Sequence, residues 1–538
     1  MILLQSLTAT RWADAFTDTT FTARLMAEAM PVYLQKSRWF GAKNARIKSY
    51  LVEKVLPYYA FDEHAYLVFI EVLFYTANTE TYFVPLKIVT EKPDDDRGII
   101  CQLQFEDEEY FLIDAVYDTD FRDAIFRDIL NGEEKTVGDG VVLFENGKCL
   151  ADFDRYKPIE SRLLNAEQSN TTIVYNDKYY LKLYRKLFRD ANPDYEITHF
   201  LSEKAGFRNS PRFAGSITWK RTGYYQVSLG LMQEEIKNQG TAWEYYLNEV
   251  DGFFKRCEKA GIQPADLPKQ DLYKPKKIEQ LPDVYHQLIG LDALLKTKAL
   301  ARTTCQMHLA LFSDRFDRHF SPTIFSSDYR VWLLNRLMYQ FDNRLNLLEQ
   351  SLDKLSGAAK QFALEFMERK DEIKNRILGF DDGKLNSNRI RIHGDFHLGQ
   401  VLYDNDIFYM LDFEGEPEST IRDRKVKQPP MKDVAGVFRS FHYAVFANAF
   451  NNTYKIDFET VKELGGRYYR AIVAVFMEAY VNTAFDNGLN IGYYDEIDYL
   501  LRYHLFEKAI YEMGYELNSR PDWVIIPLKG LMQLLNND

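Results

Sequence analysis

The chain has 538 residues, 46% apolar and 27% charged, with a net charge of −12. That balance excludes an intrinsically disordered chain, which could not bury enough apolar surface to offset its ordering entropy. The acidic charge, with no long Lys/Arg run, argues against a nucleic-acid partner, and the length allows roughly three or four compact units. Aromatic residues make up 15%, enough for aromatic packing and for stacking against sugars. Cys101, Cys149, Cys257 and Cys305 are far apart with no CxxC pair, which speaks against a zinc cluster and fits a reducing compartment. The first residues, MILLQSLTATRWADAF, lack the basic and long apolar regions of a signal peptide, and no stretch approaches 18 apolar residues. The expectation is a cytoplasmic protein with no membrane partner.

In chain order, residues 19–35 read as helix, and 47–56, 65–74 and 81–89 as strands rich in β-branched and aromatic types. Asn78-Thr79 is a turn signal. The polar run EKPDDDRG at 91–98 is the first candidate boundary. Residues 110–117 read as another strand. Phe121, Ile125, Ile129 and Leu130 recur at helical spacing, so 119–131 is predicted as an amphipathic helix. Residues 171–175 and 179–184 form a hairpin pattern around Asn176-Asp177-Lys178. Pro193 opens a helix ending near Gly206. After Met232 the pattern is mostly helical. Four prolines and several lysines make 263–282 a predicted surface loop, 328–377 reads as two helices broken at Gly357, and 434–515 is again helical. A mixed β-rich lobe followed by a helical lobe puts the expected ligand site at their junction.

The chemistry is concentrated in 391–417, RIHGDFHLGQVLYDNDIFYMLDFEGEP. Asp395 and Gln400 are five apart in a polar loop, and Asp412 ends the apolar run that follows. Phosphoryl transfer needs that kit. A carboxylate orients the attacking hydroxyl and takes its proton late, while an amide oxygen and a second carboxylate hold Mg²⁺. Protein kinases use Asp, then Asn five residues on, then a further Asp. Here Gln400 stands at the Asn position and reaches one methylene further. Either aspartate alone could be a loop or capping residue; the ordered set singles them out.

Lys182 lies within an apolar strand, where an unpaired cation is costly. Glu196 follows 14 residues later on the next helix, the spacing of a phosphate-contacting lysine held by a helix glutamate. AEQSNTT at 166–172 would cover the phosphates through Ser169, Asn170 and Thr171, since it has no glycine. His393 and His397 also suggest a metallophosphoesterase, but the motif order is wrong and no GNH segment exists. His393 is read as a structural brace of the loop.

With these residues in place, the chain resembles the maltokinase family, itself similar to the aminoglycoside-phosphotransferase group of kinases. RWFGAK (38–43) resembles the family's cap signature. AEQSNTT, LKLYRK and NPDYEI resemble its small-lobe elements, and HGDFHLGQVL and LDFEGEP its catalytic ones. PPMKDVAGVFRSFHYA (429–444) and FEKAIYEMGYELNSRPDWVIIPL (506–528) resemble its closing segments. The resemblance implies an α+β, bilobal protein-kinase-like fold. Residues 1–92 would be a β-rich N-terminal cap, 93–233 a mixed nucleotide-binding small lobe, and 234–538 a helical catalytic lobe. It implies transfer of the ATP γ-phosphate to the anomeric hydroxyl of maltose, giving maltose 1-phosphate for α-glucan synthesis. Asp395 would be the base, Gln400 and Asp412 the Mg²⁺ ligands, and Lys182 the phosphate contact. Lys508, Tyr511 and Tyr515, at i, i+3 and i+7 on one helix face, would contribute to the sugar site with His397. Some family members are fused to a trehalose synthase; this chain has no room for one, so any such link would be a functional association. The longer loop at 263–282 departs from the family and bears on sugar choice. Two alternatives stand beside maltose kinase. One is a kinase of another small sugar such as glucosamine, with Glu414, Glu416 or Glu516 holding the amine. The other is a non-catalytic nucleotide-binding regulator.

Overall fold

The computed structural model describes residues 6–8, 12–60, 63–93, 95–105, 108–137, 140–164, 169–221, 223, 226–451 and 453–536. They form two compact units, Met1–Lys204 with Pro211–Ile236, and Ala205–Ser210 with Lys237–Asp538. The architecture is α+β, with the sheets in the first unit and the helices concentrated in the second.

The first unit is built on two sheets. The first sheet contains β1 (Ser6–Thr8), β2 (Ile47–Ala60), β3 (Glu63–Phe74), β4 (Glu80–Val89), β5 (Ile99–Phe105) and β6 (Glu108–Asp114), in the order β1-β5-β6-β4-β3-β2. Successive residues of a strand point to opposite faces. In β3, Leu67 and Phe69 enter one core while Tyr66, Val68, Ile70 and Val72 enter the other. Burial on both faces explains why this antiparallel strand reads as a nearly continuous apolar run. One core packs against the N-terminal helical segment 19–36, where a π-helical stretch, Leu25–Ala29, separates two α-helical turns. The other packs against the helix Thr119–Asn131, which begins and ends where the sequence predicts, between the Asp118 cap and a left-handed Gly132.

The second sheet contains β7 (Glu134–Val137), β8 (Gly140–Asn146), β9 (Ser161–Leu163), β10 (Asn170–Tyr175), β11 (Tyr179–Tyr184), then β13 (Phe213–Arg221) and β14 (Gln226–Glu234). Its order is β7-β8-β13-β14-β11-β10-β9. Directly after β11, the short β12 (Lys186–Leu187) crosses to the first sheet and pairs with β4. The polar turn at 91–98 therefore marks no domain boundary: it joins β4 to two further strands of the same sheet. The predicted strand 110–117 stops at Asp114, whose carboxylate accepts from Val116 N (3.3 Å) and turns the chain into a 3₁₀ turn.

The second unit is a helical assembly with one short hairpin, β15 (Val401–Asp404) and β16 (Ile407–Met410). Two expectations are corrected here. Residues 328–377 form three helices rather than two, Ser327–Ser351, Gly357–Glu368 and Lys370–Leu378, because the backbone leaves helical geometry again at Arg369. The 263–282 segment is not a loose surface loop. Leu267, Gln270, Tyr273, Ile278 and Leu281 are buried along it, and Tyr273 stacks on Phe438 with ring centroids 5.9 Å apart. No described helix is long and apolar enough to cross a membrane, and all four cysteines are free.

Candidate active site

In the second unit, the loop 391–400 carries Asp395 and is held from behind by the helix Met431–Asn451. Asp433 on that helix accepts from His393 N (2.8 Å) and Gly394 N (3.0 Å). His308 Nε2 lies 3.0 Å from the same carboxylate, and its Nδ1 lies 2.7 Å from the Tyr480 hydroxyl. Ser440 Oγ, two turns on, accepts from Leu398 N (3.1 Å). The loop approaches this helix so closely that a Cβ at Gly436 would sit 2.2 Å from Phe396 O, so glycine is required there. His393 Nε2 lies 2.8 Å from Leu411 O, which ties the loop to the segment after β16. His393 thus braces the loop, as expected.

Gln400 and Asp412 are twelve residues apart, and the β15–β16 hairpin closes the gap. Val401 pairs with Met410, Leu411 N donates to Gln400 O (2.9 Å), and Gln400 Nε2 donates to Asp412 Oδ2 (3.0 Å). Asp412 has φ +61°, a left-handed backbone rare for a residue with a side chain. Such strain persists only where its surroundings enforce it, and it clusters at functional sites. Asp412 and Glu414 bring carboxylate oxygens within 4.8 Å of each other. With the Gln400 amide oxygen, this donor set is all oxygen, the chemistry Mg²⁺ takes.

Asp395 is paired. Lys508 Nζ donates to its Oδ1 at 2.7 Å, and the two side chains keep 14% and 19% of their surface. Burial works to raise the Asp395 carboxyl, but Lys508, His397 and His393 overcome it and hold it at about 2. Burial likewise disfavours the charge on Lys508, yet Asp395 and Glu416 raise it above the ordinary lysine value. Both groups are therefore charged across the physiological range. Burial keeps His397 below its usual value, against the pull of Asp395. Its Nδ1 accepts from Gly399 N (3.1 Å).

Lys508, expected in the sugar site, has Asp395 of the 391–400 loop as its partner. Its ammonium also lies 4.5 Å from the centre of the Tyr511 ring. Tyr515 is farther along the same helix and 56% exposed. Beneath this face is a buried ionic cluster that sequence reasoning missed. Arg336 reaches Glu416 and, at 2.5 Å, Glu507; Lys432 reaches Glu507 at 3.0 Å and Glu416 at 3.6 Å; His504 Nδ1 lies 2.6 Å from Glu507. Its members come from four separate segments, and no local pattern announces it. Glu516 pairs with Arg520 at 2.9 Å.

In the first unit, Lys182 Nζ lies 3.2 Å from Asp194 Oδ2, and Asp194 is fully buried. Asp194 was not singled out in the sequence; Glu196, which was, lies two residues further along the same helix. The helix Pro193–His199 starts at the Asn192 cap, which accepts from Asp194 N (2.9 Å). Of the AEQSNTT segment, residues 166–168 lie outside the described residues. Ser169 is exposed and Asn170 begins β10. Thr171 Oγ1 accepts from Arg185 Nε (2.8 Å).

That arginine ties Trp39 and the first sheet to β10 of the second. Arg185 lies 2.7 Å from Asp114, with both side chains fully buried. It also donates to Phe83 O (3.3 Å) and lies 4.8 Å from the Trp39 ring centre. Tyr33 Oη donates to Asp114 Oδ2 (2.6 Å).

This fold is that of glucosamine kinase. One solved glucosamine kinase matches with a TM-score of 0.60 at 17% identity, over 96% of this chain and 99% of that one. A second, in complex with glucosamine, ADP and inorganic phosphate, matches with a TM-score of 0.59 at 17% identity, over 95% and 99%. Within the fold, residues 33–118 match the maltokinase N-terminal cap domain. In sequence, a glucosamine kinase of Streptacidiphilus jiangxiensis is 25% identical over 283 residues, 51% of this chain and 59% of that protein. The chain thus spans less than two thirds of that relative's length. The likeness is to maltokinases through the cap and to glucosamine kinase through the fold.

Proposed function

We propose that the chain is an ATP-dependent sugar kinase. The observation that carries the reading is Asp395, a carboxylate held ionised by Lys508 on a braced loop whose next hairpin joins Gln400 to Asp412. Phosphoryl transfer asks the protein mainly for positioning and charge stabilisation. Asp395 orients the acceptor hydroxyl. A carboxyl held at about 2 is weakly basic and suits late proton transfer, once the new phosphorus–oxygen bond has acidified that hydroxyl. Lys508 fixes the carboxylate's direction and charge.

Lys182, steadied by Asp194, is assigned to the ATP phosphates, with Ser169 and Asn170 as further donors; Thr171 is shared with Arg185. Gln400, Asp412 and Glu414 would hold Mg²⁺, with the glutamine oxygen as ligand because its nitrogen is engaged by Asp412. Bound there, the ion would neutralise phosphate charge.

The first acceptor reading is maltose, phosphorylated at its anomeric hydroxyl, with a functional association to a trehalose synthase. The cap match and the Lys508–Tyr511 face support it. A phenol ring offers an apolar surface to a pyranose and a hydroxyl for hydrogen bonding. Glucosamine is the second reading, supported by the sequence relative and the fold match. Of the three carboxylates considered for its amine, Glu416 is engaged by Arg336 and Lys432, and Glu516 by Arg520. Glu414, the third, belongs to the oxygen set assigned above to Mg²⁺.

Incubation with ATP, Mg²⁺ and either sugar, with ADP and reducing ends assayed together, tests both. ADP release with matching loss of maltose reducing ends is the expected result. ADP release that leaves the reducing ends intact sinks anomeric transfer, and turnover with glucosamine alone transfers the reading to that sugar.

A further inference from the structure

The helix Ser327–Ser351 has no part in the assignments above, yet one of its faces grips the segment that follows Asp412 and Glu414. Trp332 Nε1 donates to Asp423 Oδ1 (2.8 Å), Arg336 reaches Glu416, and Arg344 reaches Glu418. Positions 332, 336 and 344 fall within about a third of the helix circumference. The same helix lies against Tyr494–Ser519, which carries Lys508. A Cβ at Gly514 would sit 2.3 Å from the Arg344 guanidinium, so the two helices approach closely there.

Arg336 is shared between two carboxylates. Its Nη2 takes Glu416 and its Nη1 takes Glu507 at 2.5 Å, while Lys432 Nζ stands 3.0 Å from Glu507 and 3.6 Å from Glu416. Glu416 is 4% exposed and Glu507 2%. Burial works to raise the Glu507 carboxyl, but Lys432 and Arg336 overcome it and hold it well below its usual value. Burial keeps the His504 imidazole, 2.6 Å from Glu507, below its own. The cluster is therefore two cations balanced by two carboxylates.

Buried ion pairs add little to stability, because desolvation offsets most of the attraction. What this cluster does is fix charges beside the Lys508–Asp395 pair. Lys432 precedes Asp433, the acceptor for His393 N and Gly394 N, and Glu507 precedes Lys508. A cavity of about 10 Å³ has Gly394, Glu416, Glu507 and Lys508 in its lining, room for about one water. After burial and Asp395, Glu416 is the group that bears most on the Lys508 ammonium, and it attracts it. Glu416 thus competes with Asp395 for Lys508, and Arg336 decides the competition by engaging Glu416.

We propose that Arg336 is a positioning residue: by occupying Glu416 and Glu507 it leaves Lys508 to Asp395. The consequence for transfer rests on the sugar-kinase reading, through the role of Asp395. Without the guanidinium, Lys432 faces two carboxylates, and Lys508 is the other ammonium lining the same cavity. Lys508 then turns toward Glu416 and releases Asp395. The other groups around the pair stay as they are: His397 and His393 act on Asp395, Tyr511 on Lys508, and Arg424 on Glu414, Glu416 and Asp395.

The test compares wild type with Arg336→Met, Arg336→Lys and the charge-balanced Arg336→Met/Glu416→Gln, all in the full chain. Kinetics are read beside ¹³C NMR of the Asp395 carboxyl, assigned through its loss in Asp395→Asn. In wild type that carboxyl should not titrate between about pH 4.5 and 8. In Arg336→Met its midpoint should enter that range, and kcat should fall about 10–100-fold with nucleotide KM unchanged. In the double variant, which removes the pull of Glu416 together with the guanidinium, the midpoint should leave the range and most of kcat should return. Arg336→Lys should recover part. A role in packing alone predicts the opposite order, because the double variant has lost more contacts than the single one. Should Arg336→Met fail to fold, Arg336→Gln takes its place, keeping a polar donor without the charge. An Asp395 midpoint unmoved by loss of the Arg336 charge, or moved and not returned in the double variant, overturns the proposal. A midpoint that moves and returns in a chain that turns over no sugar upholds the positioning and sinks the sugar-kinase reading instead.

Discussion

Each unit buries a cation against an aspartate, and the two pairs do different work. Arg185 and Asp114 are sealed, with 0% of either side chain exposed. The guanidinium also serves Thr171 and Phe83 O and faces Trp39, while Tyr33 takes up a further contact on the aspartate. Donors and acceptors spent in this way have nothing to exchange with a ligand, so the pair welds β11 to the cap. Lys508 and Asp395 are partly open; Asp395 stands on a loop braced from behind and lies one hairpin from a backbone-strained aspartate. On the function proposed above, charge burial alone does not mark a reactive site; access beside rigid support does.

The comparison breaks most sharply at Arg185. Removing one partner of a buried pair strands the other charge, at a cost of about 3–5 kcal/mol. Arg185→Ala should show that loss in chemical denaturation, while the folded fraction keeps its ATP and sugar KM values. Arg185→Lys should recover only part, because an ammonium cannot serve Asp114, Thr171 and Phe83 O in one plane. A variant as stable as wild type would refute the weld.

Asp433→Asn is expected next. It weakens the acceptor for His393 N and Gly394 N, each worth about 1–3 kcal/mol when left unsatisfied. Both kcat and the melting temperature should fall, with nucleotide affinity kept. A drop in stability alone would make Asp433 a core residue and nothing more.

The open pair is sharpened through pH. Asp395 sits at about 2, below the ordinary aspartate value of about 3.9. It is therefore ionised at every pH above that point and adds no acidic limb to kcat/KM between pH 4.5 and 8. Lys508→Met removes the largest opposition to burial, so the carboxyl rises and an acidic limb should move upward into that window. An unmoved limb would mean that Lys508 does not set the charge of Asp395. The smallest effect is expected at the hairpin. Gln400→Ala and Asp412→Ala should both raise the Mg²⁺ requirement, Asp412 more because it carries formal charge. A lowered melting temperature with an unchanged Mg²⁺ titration would assign both to stability alone.

The parts of this site that were legible in the sequence are those written over short distances. Asp395, Gln400 and Asp412 fall within eighteen residues, in the order phosphoryl transfer asks for. Lys508 and Tyr511 showed a shared face by spacing, but spacing could not say what the face meets. The Lys508–Asp395 pair spans 113 residues. Asp194 was not singled out, because the kinase-like spacing from Lys182 points to Glu196 and nothing local announces a second carboxylate beside the lysine. The 263–282 segment read as surface because its prolines and lysines are conspicuous, while its buried residues follow no period. The polar run at 91–98 looked like a boundary, but two strands of one sheet can be joined by just such a turn.

The most direct test of Asp395 as the group that directs the acceptor hydroxyl is ADP release by wild type and Asp395→Asn, on maltose and glucosamine, with nucleotide affinity measured alongside. Wild type is expected to turn over one of these sugars. Asp395→Asn should lose about 10²–10⁴-fold in kcat with nucleotide affinity nearly intact. A variant that kept more than about a tenth of the wild-type rate would contradict that role.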